Sequence, residues 1–274
     1  MLVICCGNQR CGSTLQYQMA AEILEPCGKV KRAGYINSNT YLSLPSSKNR
    51  EFLIVKTHDF IPAAAETIEQ GNAKAIYAYR DLRDVVVSIM NTLGEHPYSI
   101  LRKGYLEYFI KVDRQWCDLR NVLISKYEEI VMHPDKEASR ISDYLGERID
   151  DLKAAEIADK FSIANQRKRI QQIDYKTIYE KSGRSSTPDP HSMLKINHIH
   201  SGKEGQWKER LSSFQVAIIE ALAYKWLLSK GYEVSQPWWK RCLATAAYFL
   251  FLKLPRLMNS SFSNFFNAIK KQKG

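Results

Sequence analysis

The six cysteines form no Cys-x-x-Cys pair, and no histidine spacing around them suits zinc, which removes the usual sequence basis for a structural zinc site or a dithiol redox centre. No internal repeat is present, so a solenoid or propeller is not in question. The apolar stretch 242–252 has eleven residues, whereas about 20 are needed to cross a bilayer. No acidic residue follows Glu233, although Lys240, Arg241, Lys253, Arg256, Lys270, Lys271 and Lys273 do. Setting those seven aside reduces the formal charge from +11 to about +4, an ordinary value for a soluble domain, so the basicity belongs largely to a tail and does not call for nucleic acid. The first residues show neither a basic n-region nor a small-residue cleavage site, and a secretory signal is not expected. Cys5 and Cys6 are neighbours on a strand-like run and point to opposite faces, so they make poor disulfide partners; a reduced, cytoplasmic setting is expected.

Against these absences stands one organised stretch. The apolar run 2–6 breaks at Gly7 into a polar loop carrying Arg10, Cys11, Gly12, Ser13 and Thr14, and a helical pattern follows from Leu15 to Leu24. A strand, a glycine-bearing loop and a helix N-terminus make an anion cradle, because backbone N–H groups and the positive helix end converge. The spacing Gly7-x4-Gly12 matches half of the P-loop signature, but Ser13 stands where that motif needs lysine. An ordinary strand, turn and helix remains an open reading of this stretch alone.

Residues 29–50 are polar and rich in Ser, Asn and Tyr, and read as an irregular surface segment. Apolar runs at 52–55, 75–79 and 121–125 read as further strands, ending in Lys56-Thr57-His58, Arg80 and Lys126-Tyr127. Helical patterns fall at 63–70, 85–93, 100–119 and 134–145. Four strands alternating with helices indicate an α/β, three-layer doubly wound fold with a central parallel sheet and a helical second half. In such sheets ligands bind beyond the carboxyl ends of the strands, where Arg10, His58, Arg80 and Tyr127 all fall. Residues 181–197 read as a mobile loop able to gate a cleft, and Ser212-x-x-Gln215 as a capping box opening a long helix that Gly231 stops.

Four motifs in order give the chain a clear likeness: Arg10-Cys-Gly-Ser-Thr14, Lys56-Thr57-His58, Arg80 with Ser88 eight positions later, and Gly202-x-x-Gly205-x-Trp207-Lys208. Together they resemble sulfotransferases that use 3′-phosphoadenosine 5′-phosphosulfate (PAPS), bacterial members above all, over residues 1–232. The resemblance implies the P-loop-like sulfotransferase fold and PAPS as cosubstrate without a metal. It puts the 5′-phosphosulfate on Arg10, Cys11, Gly12, Ser13 and Thr14, and the 3′-phosphate on Arg80 and Ser88. His58 would be the general base, with Lys56 and Arg10 steadying charge at the bond that breaks. Tyr127 would complete the nucleotide site. The tryptophan that stacks on adenine in the cytosolic animal enzymes is Leu15 here, which weakens stacking or moves it to a residue such as Phe161. The Arg-Lys-Gly of the late motif is His200, Ser201 and Gly202. The implied partner is a hydroxyl-bearing acceptor, whether a small molecule, a sugar or a glycolipid. Other readings stay in view: a P-loop nucleotide kinase, disfavoured by Ser13, and a non-catalytic nucleotide- or membrane-binding adaptor.

Residues 233–274 are set apart as a basic tail in which Trp238 and Trp239 lead into two short apolar segments. This tail reads equally as a helix packed on the domain or as a peripheral anchor on an anionic membrane surface.

Overall fold

The apolar runs become the strands of one parallel sheet. The structure, a computed structural model, describes residues 1–45, 51–184, 187–197, 199 and 202–254. Five strands, β1 (Leu2–Gly7), β2 (Lys29–Tyr35), β3 (Glu51–Thr57), β4 (Ala73–Tyr79) and β5 (Val122–Lys126), lie in the order β2-β3-β1-β4-β5. Every pairing is parallel, as the doubly wound reading requires. Central β1 registers Cys6 against Thr57 of β3 and Gly7 against Ala78 of β4, so these three strands end side by side.

The contacts of the described residues gather into two units: Met1–Arg80 with Lys111–Glu204, and Asp81–Ile110 with residues 205–254. In the first unit the two-residue period of the strands divides the core between the two sheet faces. Val3, Cys5, Ile54 and Ile76 pack with α1 (Ser13–Leu24), α8 (Pro134–Leu145) and α9 (Asp151–Lys160). Ile4, Cys6, Val55 and Tyr77 pack on the other face with α3 (Pro62–Glu69) and Trp116 near the end of α6 (Tyr105–Cys117). Cys5 and Cys6 therefore do sit on opposite faces, and all six cysteines are free. The unit also holds a short α2 (Ser38–Tyr41), α7 (Tyr127–Met132), α10 (Ile163–Gln172) and α11 (Tyr175–Ser182).

The second unit is helical. It contains α4 (Leu82–Leu93), α5 (Pro97–Arg102), the start of α6, α12 (Trp207–Arg210), α13 (Ser213–Ser229), α14 (Trp238–Ala247) and a π-helical turn, Tyr248–Lys253. Ser212 caps α13 as expected: its side chain accepts from the Gln215 N–H while the Gln215 side chain accepts from the Ser212 N–H.

Three expectations are corrected. Residues 29–35 are not irregular: they form β2 at the sheet edge, where every residue is exposed or half-buried. An edge strand needs no continuous apolar run, so its signal resembled a loop. The helical pattern 100–119 is two helices, broken where Gly104 takes a φ of 77° between α5 and α6. The stretch 181–197 is not a free loop throughout: Ser192, Met193 and Leu194 are buried, and the Gln18 side-chain amide donates to the Ser192 carbonyl at 2.7 Å.

Candidate active site

The loop after β1 has the backbone its glycines demand. Gly7 has a φ of 150°, and a Cβ there would lie 2.4 Å from the Ala78 carbonyl oxygen on the neighbouring strand. Gly12, the N-cap of α1, has a φ of 98°, and a Cβ would approach the Tyr127 ring to 3.0 Å. Between them Arg10, a non-glycine, takes a φ of 69°. Strain of this kind persists where the surroundings over-determine it, and it is common at binding loops. The first turn of α1 holds no acidic residue and no side-chain cap, so its positive dipole end meets no carboxylate of its own and suits an anion. Ser13 and Thr14 open the helix and are buried, as is Cys11, whose thiol burial pushes up in pKa.

At the end of β3, Lys56 Nζ lies 3.0 Å from His58 Nε2, and His58 Nδ1 lies 2.8 Å from the Gly7 carbonyl oxygen. A carbonyl only accepts, so Nδ1 carries the proton and, in the neutral ring, Nε2 keeps its lone pair. The loop thus orients the histidine and sets its tautomer. Lys56 is buried, and burial, reinforced by Lys195 and Arg10 against the opposing Cys5, pulls its pKa down to about 7. The Tyr35 ring lies 5.5 Å from the His58 ring, while its hydroxyl donates to Asp59.

At the end of β4, Arg80 is buried, stacks over the Tyr127 ring at 4.3 Å and donates to the Lys203 carbonyl at 2.9 Å. Beside it Tyr127, Met132, Gly202 and Lys203 line a cleft of about 410 Å³. Burial, with Arg80 next, lowers the Arg10 pKa, and burial followed by Arg10 lowers that of Lys195. Arg10, Lys56, Arg80 and Lys195 therefore form one field of like charge, suited to a ligand with several negative charges.

Of the residues read from the sequence, Arg10, His58, Arg80 and Tyr127 follow the carboxyl ends of four strands of one sheet, with Lys56 inside the end of β3. Gly202 comes to the Tyr127 cleft. Leu15 and Phe161 belong to one core cluster, in which Phe161 is buried. His200 and Ser201 lie outside the described residues. Lys195 escaped the sequence reading because it sits in a segment without periodicity.

In the second unit, Ser88 lies buried on α4. Asp84, in the first turn of that helix, accepts from the N–H groups of Gly205 at 2.7 Å and Trp207 at 3.1 Å, which ties the late motif to α4. Arg83 donates to both Asp81 oxygens, to Glu220 at 2.7 Å and to the Glu233 carbonyl, and stacks on Trp207 at 4.0 Å. No local spacing announces this network, because its members are up to 150 residues apart.

The family model for a sulfotransferase domain matches residues 3–230. Sulfotransferase 1A1 of Rattus norvegicus is 25% identical over 183 residues, which cover 60% of this chain and 58% of that protein. Flavonol 3-sulfotransferase of Flaveria bidentis is 20% identical over 198 residues, covering 65% and 62%. The chain thus spans about six-tenths of the length of these curated relatives. Among solved structures, retinol dehydratase with androsterone and the inactive cofactor PAP superposes with a TM-score of 0.56 at 16% identity, over 86% of this chain and 82% of that one. A mouse sulfotransferase complexed with PAP gives the same TM-score and identity over 90% and 88%. At that identity the likeness is one of fold.

Proposed function

This chain belongs to the sulfotransferase family, and from that premise we propose that it moves a sulfuryl group from PAPS to an acceptor hydroxyl. The observation that carries the reading is the Lys56–His58 pair, oriented by the Gly7 carbonyl beside the loop that opens α1. The cosubstrate supplies an SO3 unit on the oxygen that bridges to its 5′-phosphate and departs as adenosine 3′,5′-bisphosphate. Residues 1–232 form the catalytic domain in this reading, and no metal takes part.

The site residues fit such a molecule. Arg10, the α1 N-terminus, Ser13 and Thr14 would hold the phosphosulfate, with Cys11, Gly12 and Leu15 forming the same turn. Arg80 and Ser88 would hold the 3′-phosphate, with Tyr127 and Gly202 nearby and His200 and Ser201 completing the late motif. An arginine suits a phosphate that is recognised and not cleaved. Adenine stacking on Phe161 is not retained, because that ring is buried in the core.

His58 Nε2 takes the acceptor proton as the acceptor oxygen bonds to sulfur and the bridging S–O bond breaks. Lys56 competes for the same lone pair, so His58 acts only when the Lys56 amine turns toward the anion. Negative charge draws it there and raises its pKa, which leaves a full ammonium beside the departing oxygen. Arg10 stays charged throughout and works by field and hydrogen bonding.

The acceptor in this reading is a hydroxyl-bearing molecule. Support comes from retinol dehydratase, which has been crystallised with androsterone and with retinol, both alcohols. The test is transfer of labelled sulfate from PAPS to a panel of alcohols, phenols, sugars and glycolipids. His58→Ala is expected to lower turnover about 10³-fold, within the range for loss of a general base, and to leave adenosine bisphosphate affinity within a few-fold. Nucleotide binding with no transfer to any acceptor would favour an adaptor. Magnesium-dependent ATP turnover would favour a kinase.

A further inference from the structure

The last described elements, α14 and the π-helical turn, are packed on one side and bare on the other. Ala244 and Tyr248 are buried, and the Tyr248 hydroxyl donates to Glu107 at 2.6 Å. Lys253 Nζ reaches the same carboxylate at 3.1 Å, and the Arg241 guanidinium lies 4.4 Å from the Tyr224 ring centroid. This element is therefore built into its unit. Yet Trp238 is 70% exposed and Phe251 74%, and Trp239, Leu243, Phe249, Leu250 and Leu254 are exposed with them. These are seven of the seventeen exposed large apolar side chains among the described residues, gathered in one 17-residue stretch. Single exposed apolar residues need no explanation, whereas a contiguous group marks an interaction surface.

We infer that this face lies on an anionic membrane surface, parallel to it. Adjacent tryptophans suit the boundary between headgroups and acyl chains, because an indole is apolar over its body and donates one hydrogen bond. Lys240 sits in the same stretch, and the sequence continues through Arg256, Lys270, Lys271 and Lys273 without an acidic residue, so the charge complements acidic headgroups. A second copy of the same face would bring these like charges toward each other in a two-fold contact. Among the described residues no helix is long and apolar enough to cross a membrane, so the surface is one for lying on the bilayer. Residues 238–254 of the tail are packed on their unit and expose apolar side chains, while residues 255–274 lie outside the described residues.

The test uses the full-length protein with vesicles of phosphatidylcholine alone or mixed with phosphatidylglycerol, read by sedimentation at low and high salt. Binding to the mixed vesicles, weakened by salt and accompanied by a blue shift of tryptophan fluorescence, is expected. The double variant Leu250→Ser, Phe251→Ser should weaken binding about tenfold or more, since the free energy of interfacial binding follows buried apolar area. Its thermal unfolding should stay unchanged, because both side chains are exposed. Three results would overturn the inference: no binding to mixed vesicles; binding lost with Lys270→Glu, Lys271→Glu but not with the double variant; or self-association of wild type, without vesicle binding, that the double variant abolishes.

Discussion

Arg10 and Arg83 are the same kind of side chain in surroundings that act in opposite directions. Burial, and then Arg80, pulls the Arg10 guanidinium below its ordinary value, and Lys56 and Lys195 belong to the same cationic field. Burial also works against Arg83, but hydrogen bonds and charge from Asp81 and Glu220 outweigh it and hold the group above its ordinary value. Arg83 is a structural cation, matched by carboxylates from its own unit. The loop-end cations press on one another, an arrangement that makes sense when the partner is an external anion. Binding sites are often kept at some loss of stability for this reason.

Removing the matched cation should have the largest effect. Arg83→Leu leaves Asp81 and Glu220 buried without their main partner, and denaturant unfolding should show a loss of about 3–5 kcal/mol. Glu220 keeps its bonds from Ser235 and Gln236, so the lower part of that range applies if those loops adjust. Unchanged stability would remove the distinction between the two regions.

Removing a loop-end cation should have a smaller effect of the opposite sign. Lys56→Met is expected to raise stability at pH 7 by about 1–3 kcal/mol while lowering sulfate transfer. The sign with pH follows from the depressed value. Below about 7 folded and unfolded chains both carry the proton, and the burial penalty applies in full. From about 7 to the ordinary 10.5 only the unfolded chain binds it, so wild-type stability gains from this group as pH rises. The advantage of Lys56→Met should therefore shrink across that window in thermal unfolding scans. An advantage that did not vary with pH would trace to packing instead of charge.

What could be read from the sequence divides along the range of the interaction. Strands β1, β3, β4 and β5 announce themselves as apolar runs, and the α13 capping box lies within four residues. Lys56 and His58 are two positions apart on a strand end, so their common side follows from strand geometry. Edge strand β2 gave no comparable signal, since half its surface is open. Lys195 joins the cation field only through tertiary placement. Asp84 binds backbone N–H groups 121 and 123 residues away, which no side-chain pattern records.

The most direct test is proton uptake on binding adenosine 3′,5′-bisphosphate, measured by titration calorimetry near pH 7.5 in buffers of different ionisation enthalpy. With Lys56 near 7, part of the population is neutral before binding, and an anion at the loop end should raise its pKa. Wild type should take up more protons than Lys56→Met, the variant serving to subtract the ligand's own titration. Equal proton uptake by the two proteins, with tight binding in both, would contradict the assignment of Lys56 and its neighbours to the phosphosulfate end of the site.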